Sequence, residues 1–238
     1  MTRAPALVAA SHGTSSPDGQ AAVAALVDAV RRAAPGLAVE DAFVDVQQPD
    51  VPSVLDALGI GHETVVVPLL LSAGYHVHVD LAGELEGRDG APLLGAALGP
   101  DDRLVEVLVE RLAEVGLRSD DRVVLAAAGS SDLRAVVDCR TIARLLSERL
   151  RRPVTMGFLS AARPSAADAV ARTKATHPVS RVVVASYLLA PGYFHDLAAA
   201  AGAHLTTAPI LRADAAPPAS LVDLVLDRYR SAALSRAA

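Results

Sequence analysis

The chain repeats itself across its full length. Leu7-Val8-Ala9-Ala10-Ser11-His12-Gly13-Thr14-Ser15-Ser16 aligns with Val123-Val124-Leu125-Ala126-Ala127-Ala128-Gly129-Ser130-Ser131-Asp132 at an offset of 116. Phe43 to Pro49 then aligns with Phe158 to Pro164, and Val65 to Tyr75 with Val182 to Tyr193, at nearly the same offset. Self-similarity at a fixed spacing marks copies of one structural unit, so the sequence divides into halves at 1–117 and 118–238. The seam falls at Gly116 to Asp121, where a helical pattern runs into a glycine stop and polar turn residues.

Within each half, short apolar runs (Ala6 to Ala10, Val65 to Leu71, Val123 to Ala128, Val182 to Ala185) do not alternate with polar residues, as expected of strands covered on both faces of a parallel sheet. Between them lie helical spacings such as Ala22, Val23, Leu26, Val27 and Val30, then Leu104, Leu108, Leu112 and Val115. Strands alternating with helices define an α/β fold. The composition, 52% apolar over 238 residues, supplies a substantial core. A net charge of −5 with no long basic run argues against a nucleic-acid partner. The single cysteine, Cys139, leaves no disulfide framework or thiolate cluster and fits a reducing cytoplasm. It lies in the helical pattern from Leu133 to Leu150, where burial is its expected role. No stretch approaches the length of a membrane span or a signal-peptide core.

The repeat also serves as an internal control. Gly13 and Gly129, Pro49 and Pro164, and Gly74 and Gly192 occur in both halves and read as architecture. His12, Asp45 and His76 face Ala128, Ser160 and Phe194, so three polar groups are missing from the second half together. Each follows an apolar strand, which places all three at strand carboxyl ends, where open α/β sheets bind ligands. Two imidazoles and a carboxylate in one crevice suit a first-row divalent metal and proton transfer. His76 is expected to begin a helix on which Asp80 and Glu84 share its face and support it; His78 ranks below His76. Taken singly, each residue has an ordinary structural reading: His12 as a strand-end cap, Asp45 as a turn residue before Pro49 and Pro52, Asp80 and Glu84 as a solvated helix face. The Ser11 to Ser16 loop lacks P-loop and dinucleotide spacings, and the hydrolase elbow is absent.

Three segments in order, Ser11-His12-Gly13-Thr14, Phe43-Val44-Asp45-Val46-Gln47-Gln48-Pro49, and Val67-Pro68-Leu69-Leu70-Leu71-Ser72-Ala73-Gly74-Tyr75-His76-Val77-His78-Val79-Asp80-Leu81, resemble the class II chelatases that act on sirohydrochlorin. The second half resembles the degenerate repeat of their tandem long forms. The resemblance implies two flavodoxin-like halves facing a central cleft, a monomer that mimics the dimer of shorter members, and insertion of Fe2+ or Co2+ as substrate, with no tightly bound cofactor. It implies that His12 and His76 hold the metal and that Asp45, standing where many members have glutamate, accepts pyrrole protons. Ser11, Thr14, Gly74 and Tyr75 are candidates for contacting the tetrapyrrole, and Arg88, Arg163 and Lys174 for meeting its carboxylates. Insertion into another tetrapyrrole, or a non-catalytic metal carrier or tetrapyrrole-binding protein, would use the same histidines. His195, beside Phe194, stands as a candidate ligand of the second half.

Overall fold

In the computed structural model, which describes residues 4–59, 62–74, 81–88, 90 and 92–235, the repeat becomes two parallel sheets. The first contains β1 (Ala6–Ser11), β2 (Val39–Phe43), β3 (Thr64–Pro68) and β4 (Leu93–Leu94) in the order β2-β1-β3-β4. The second contains β5 (Arg122–Ala127), β6 (Val154–Phe158), β7 (Val182–Tyr187) and β8 (Leu205–Thr206) in the equivalent order β6-β5-β7-β8. The registers agree as well. Leu7 stands beside Val39 and its mate Val123 beside Val154, while Ala6 stands beside Thr64 and its mate Arg122 beside Val182. Thr64 is therefore the equivalent of Val182, which corrects the sequence alignment of the third strands by one residue at its start.

Every residue of β1 and β3 is buried, as the unbroken apolar runs require. Along β1 the faces alternate. Leu7 and Ala9 enter a core shared by both halves, whereas Val8 and Ala10 enter a smaller one under α2 (Val51–Leu58) and α3 (Ala82–Leu85). The matching outer core of the second half lies under α6 (Ala166–Thr176) and α7 (Tyr193–Ala199). The apolar run from Val65 to Leu71 leaves the strand after Pro68, and Leu69 and Leu71 beyond it still pack in or against the shared core.

The shared core is sealed by an exchange of helices. Helix α4 (Asp102–Glu114), which ends the first repeat, packs on β7 and on α5 (Leu133–Leu150), while α8 (Ala219–Ser235), which ends the second, packs on β3 and on α1 (Pro17–Ala33). Each is tied across by an arginine in the same way. Arg111 donates to the carbonyls of Pro209 (3.0 Å) and Ile210 (2.9 Å), and Arg228 to those of Ala97 and Leu98 (both 2.9 Å). Hydrogen bonds from charged donors to otherwise unpaired carbonyls are each worth about 1.5–3 kcal/mol, so the exchanged helices fasten the two sheets into one body.

Candidate active-site cleft

The strand order turns at β1 and β3, and in doubly wound sheets the crevice opens above such a switch point. Residue 12 follows β1 directly, and the β2–α2 loop carrying Asp45 lies beside it. The two loops are joined backbone to backbone: Val44 N–H donates to the Ser11 carbonyl and Asp45 N–H to the His12 carbonyl, each at 2.9 Å. Gly13, at φ +91°, makes this approach possible, because a Cβ there would collide with the Asp45 carbonyl. Positive φ is strained for any residue with a side chain, so sterics and dihedral both require glycine. Val46 also adopts positive φ, at 64°, which turns the chain so that the Asp45 carboxylate accepts the Val46 N–H at 2.8 Å. Asp45 is exposed and His12 half-buried. The N-cap of α2 is Asp50, so Asp45 does not cap that helix.

The second half repeats this backbone almost bond for bond. Leu159 and Ser160 N–H groups donate to Ala127 and Ala128 carbonyls at 2.9 Å. Gly129 has φ +92° and faces the Ser160 carbonyl, and Ala161 has φ 52°. The Thr14 hydroxyl accepts the Ser16 N–H at 3.1 Å, as Ser130 accepts that of Asp132 at 3.0 Å. What differs is the side chains: His12 against Ala128, Asp45 against Ser160, and Gln47 against Ala162. Sequence reasoning passed over Gln47, whose Oε1 accepts the Thr14 N–H at 2.9 Å and bridges the His12 and Asp45 loops. Its absence from the sister repeat was the available signal.

The carboxyl edges of the two sheets face one another. Gly192 lies against Thr14, and its equivalent Gly74 lies against Ser130, so the loops meet in pairs about an approximate twofold. Large apolar side chains are exposed on the carboxyl-edge loops or in the helical turns that follow them: Val46, Leu133, Val137, Tyr193 and Phe194. Tyr193 and Phe194 pack edge to face at 5.7 Å. Apolar surface concentrated in one place marks a binding face, and no periodicity in the sequence announced it.

Tyr75, His76, His78 and Asp80 lie outside the described residues, as does the expected start of a helix at His76; the described helix α3 begins at Ala82. Glu84 is in α3, where its carbonyl accepts Arg88 Nε at 2.8 Å. Arg88 also pairs with Asp56 at 2.6 Å, so it ties α3 to α2 instead of reaching for substrate. Lys174 is in the last turn of α6, at the edge of the sheet away from the cleft. Arg163, in the β6–α6 loop with its side chain 85% exposed, is on the cleft side. Ser11 is 3% exposed, inside the end of β1 and not on the cleft surface. His195 donates through Nε2 to the Thr207 carbonyl at 3.1 Å, which gives it a structural role between α7 and the β8 region. Cys139 is buried, as its pattern implied, and burial pushes its thiol up to about 11 against a hydrogen bond with Ser72, so it offers no thiolate. Among the described residues no three His, Cys, Asp or Glu side chains form a cluster able to hold a metal; the residue that the sequence reading adds to His12 and Asp45 is His76.

Fold and cleft together define a tandem two-lobed α/β protein with one ligand crevice between repeats whose polar equipment is unequal. The chain belongs to the CbiX family, whose model matches residues 6–115 and again residues 122–230. It is 28% identical over 191 residues to a sirohydrochlorin ferrochelatase of Priestia megaterium, covering 76% of this chain and 71% of that protein. It is 39% identical over 87 residues to a sirohydrochlorin cobaltochelatase of Sulfurisphaera tokodaii, covering 35% of this chain and 72% of a protein itself close to one repeat in length. Among solved structures, SirB from Bacillus subtilis with Fe3+ matches over 98% of this chain and 97% of its own, with a TM-score of 0.79 at 23% identity. A sirohydrochlorin chelatase SirB in complex with cobalt matches with a TM-score of 0.75 at 20% identity, over 98% and 96%. These likenesses establish the fold. Among the described residues no helix is long and apolar enough to cross a membrane.

Proposed function

We propose that this chain is a chelatase that inserts Fe2+ or Co2+ into sirohydrochlorin in the cytoplasm, acting as a monomer whose halves form an internal pseudo-dimer, with the metal as substrate and no resident cofactor. The observation that carries the proposal is the contrast between repeats: the same loop backbone occurs twice, yet His12 and Asp45 stand on only one copy. Residues 1–117 then hold the reacting groups, and residues 118–238 supply the opposing wall. The relatives named as sirohydrochlorin ferrochelatase and cobaltochelatase support the substrate and both metals.

Insertion replaces the inner N–H protons of a macrocycle with a divalent cation. A flat ring laid on the apolar face of Val46, Leu133, Val137, Tyr193 and Phe194 is desolvated on burial. Neutral His12, with His76 from the third motif, presents the ion to one ring face. Holding ion and ring together converts an encounter in solution into a local transfer. Asp45, exposed and beside His12, accepts a displaced proton. Gln47 keeps the Thr14 backbone against the Asp45 loop, and Thr14 and Gly74, where the halves meet, contact the macrocycle with Tyr75. Asp80 and Glu84 support His76. Arg163 on the cleft side meets ring carboxylates.

Anaerobic absorbance of sirohydrochlorin in large excess over protein, with Fe2+ or Co2+ added, tests this reading. Many equivalents of metallated pigment per chain are expected. One equivalent or fewer, with metal still bound, would favour a carrier instead, and turnover confined to a different tetrapyrrole would move the substrate.

A further inference from the structure

The second half gives the first more than it receives. Where Gly74 meets Ser130, the segment Leu71-Ser72-Ala73 leads on from β3, and its first and last residues are held by polar side chains of the other half. The buried Tyr187 hydroxyl donates to the Leu71 carbonyl at 2.7 Å. The Asp138 carboxylate accepts the Ala73 N–H at 2.9 Å. Ser72 lies beside the Cys139 thiol. Gly99 leaves room for the first of these, since a Cβ there would collide with both the Tyr187 hydroxyl and the Leu71 carbonyl.

At the symmetry-related contact, where Gly192 meets Thr14, none of this set exists. The equivalents of Tyr187, Asp138 and Cys139 are Leu69, Ala22 and Val23, and the equivalent of Ala73 is Pro191, which has no N–H to donate. A buried carbonyl or N–H requires a partner, and a partner from a rigid neighbouring element fixes the direction of the chain at that point. The two anchors fall immediately before Gly74, three to five residues ahead of His76 in the sequence. The half that lacks equivalents of His12 and His76 thus carries the polar groups that hold the segment preceding His76 in sequence.

Building on the chelatase reading above, we propose that Asp138 and Tyr187 are positioning residues that fix the Leu71–Ala73 backbone at the cleft and thereby set its affinity for the metal. Partners that orient a metal ligand typically change affinity by about 10–100-fold when removed. The test is a Co2+ titration of the full-length free protein by absorbance, with a melting temperature for every variant. Asp138→Ala and Tyr187→Phe are expected to weaken Co2+ binding roughly tenfold or more. Asp138→Asn, which keeps an oxygen acceptor for Ala73 N–H, should remain within about twofold of the natural protein, by the same reasoning on neutral acceptors. Arg181→Ala, at the seam far from the cleft, should lower the melting temperature and leave Co2+ affinity unchanged, separating positioning from general destabilisation. If Asp138→Ala does not fold, Tyr187→Phe, which removes one oxygen, carries the test. Co2+ binding at the natural affinity in Tyr187→Phe or Asp138→Ala, with binding lost in His76→Ala, would overturn the positioning role alone. Unchanged binding in His76→Ala would overturn the metal-site reading, and the positioning role with it.

Discussion

The β1–α1 and β2–α2 loops of the first half and the β5–α5 and β6–α6 loops of the second are a controlled comparison inside one molecule. Both place glycine at φ near +90°, both turn through a positive-φ residue after the second strand, and both make the same pair of interloop backbone hydrogen bonds. The conformation therefore does not depend on His12, Asp45 or Gln47, since Ala128, Ser160 and Ala162 sit on the same backbone. The chemistry can be carried by one copy and dropped from the other with no cost to the fold. The reverse contact shows the complementary inequality, with Asp138 and Tyr187 present only in the half that lacks the histidine. On the reading proposed above, the two copies divide the work: one holds reacting groups, the other holds the first in place.

The largest expected effect of breaking this comparison is on chemistry. His12→Ala should lower turnover by about 10²-fold or more, the range for loss of a group that meets the reacting atoms, while the melting temperature stays near that of the natural protein because Ala128 already occupies the equivalent site. Next comes the seam. Asp121 is fully buried and pairs with Arg181 at 2.6 Å, and Arg181 holds its carboxyl below the usual carboxylate range. Arg181→Ala should cost about 2–3 kcal/mol in denaturant unfolding, because it leaves a buried charge without its partner. A depressed folded value means that the contribution is complete above the unfolded value of about 3.9 and is lost as pH falls through the lower folded value. The natural protein should thus lose stability below about pH 4, and the variant should show a flatter acid limb in the same pH series. Gly13→Ala and Gly129→Ala should each destabilise by about 2 kcal/mol or more, since both the dihedral and the space forbid a side chain; differential scanning calorimetry should place the two alike, and only Gly13→Ala should also displace the reacting loop and slow turnover. The smallest effect is that of Gln47→Ala, about 1 kcal/mol for one hydrogen bond, with a rise in KM for the tetrapyrrole and no second-half counterpart to perturb.

The repeat, the parallel sheets and the strand-end placement of His12 and Asp45 were legible because unbroken apolar runs and paired glycines follow directly from sheets buried on both faces and loops in close contact. Helix α5 was visible in the spacing from Leu133 to Leu150. The helix exchange was not, because α4 and α8 present the same amphipathic pattern whichever sheet they cover. Gln47, Asp138 and Tyr187 escaped notice for a related reason: their partners are backbone groups, and a carbonyl or N–H leaves no mark in the sequence. Arg88, a candidate for the ring carboxylates, pairs with Asp56, a partner too distant in sequence to be read from it. The apolar surface of Val46, Leu133, Val137, Tyr193 and Phe194 comes from one loop and two helix starts, so no single stretch carries its pattern.

The unequal division of chemistry between the halves is tested most directly by anaerobic turnover of sirohydrochlorin with Co2+, comparing the natural protein with His12→Ala and His195→Ala. Many turnovers by the natural protein, the same rate in His195→Ala and none above background in His12→Ala is the expected result. A full rate in His12→Ala, or loss of rate in His195→Ala with the fold intact, would contradict the assignment of the reaction to the first half.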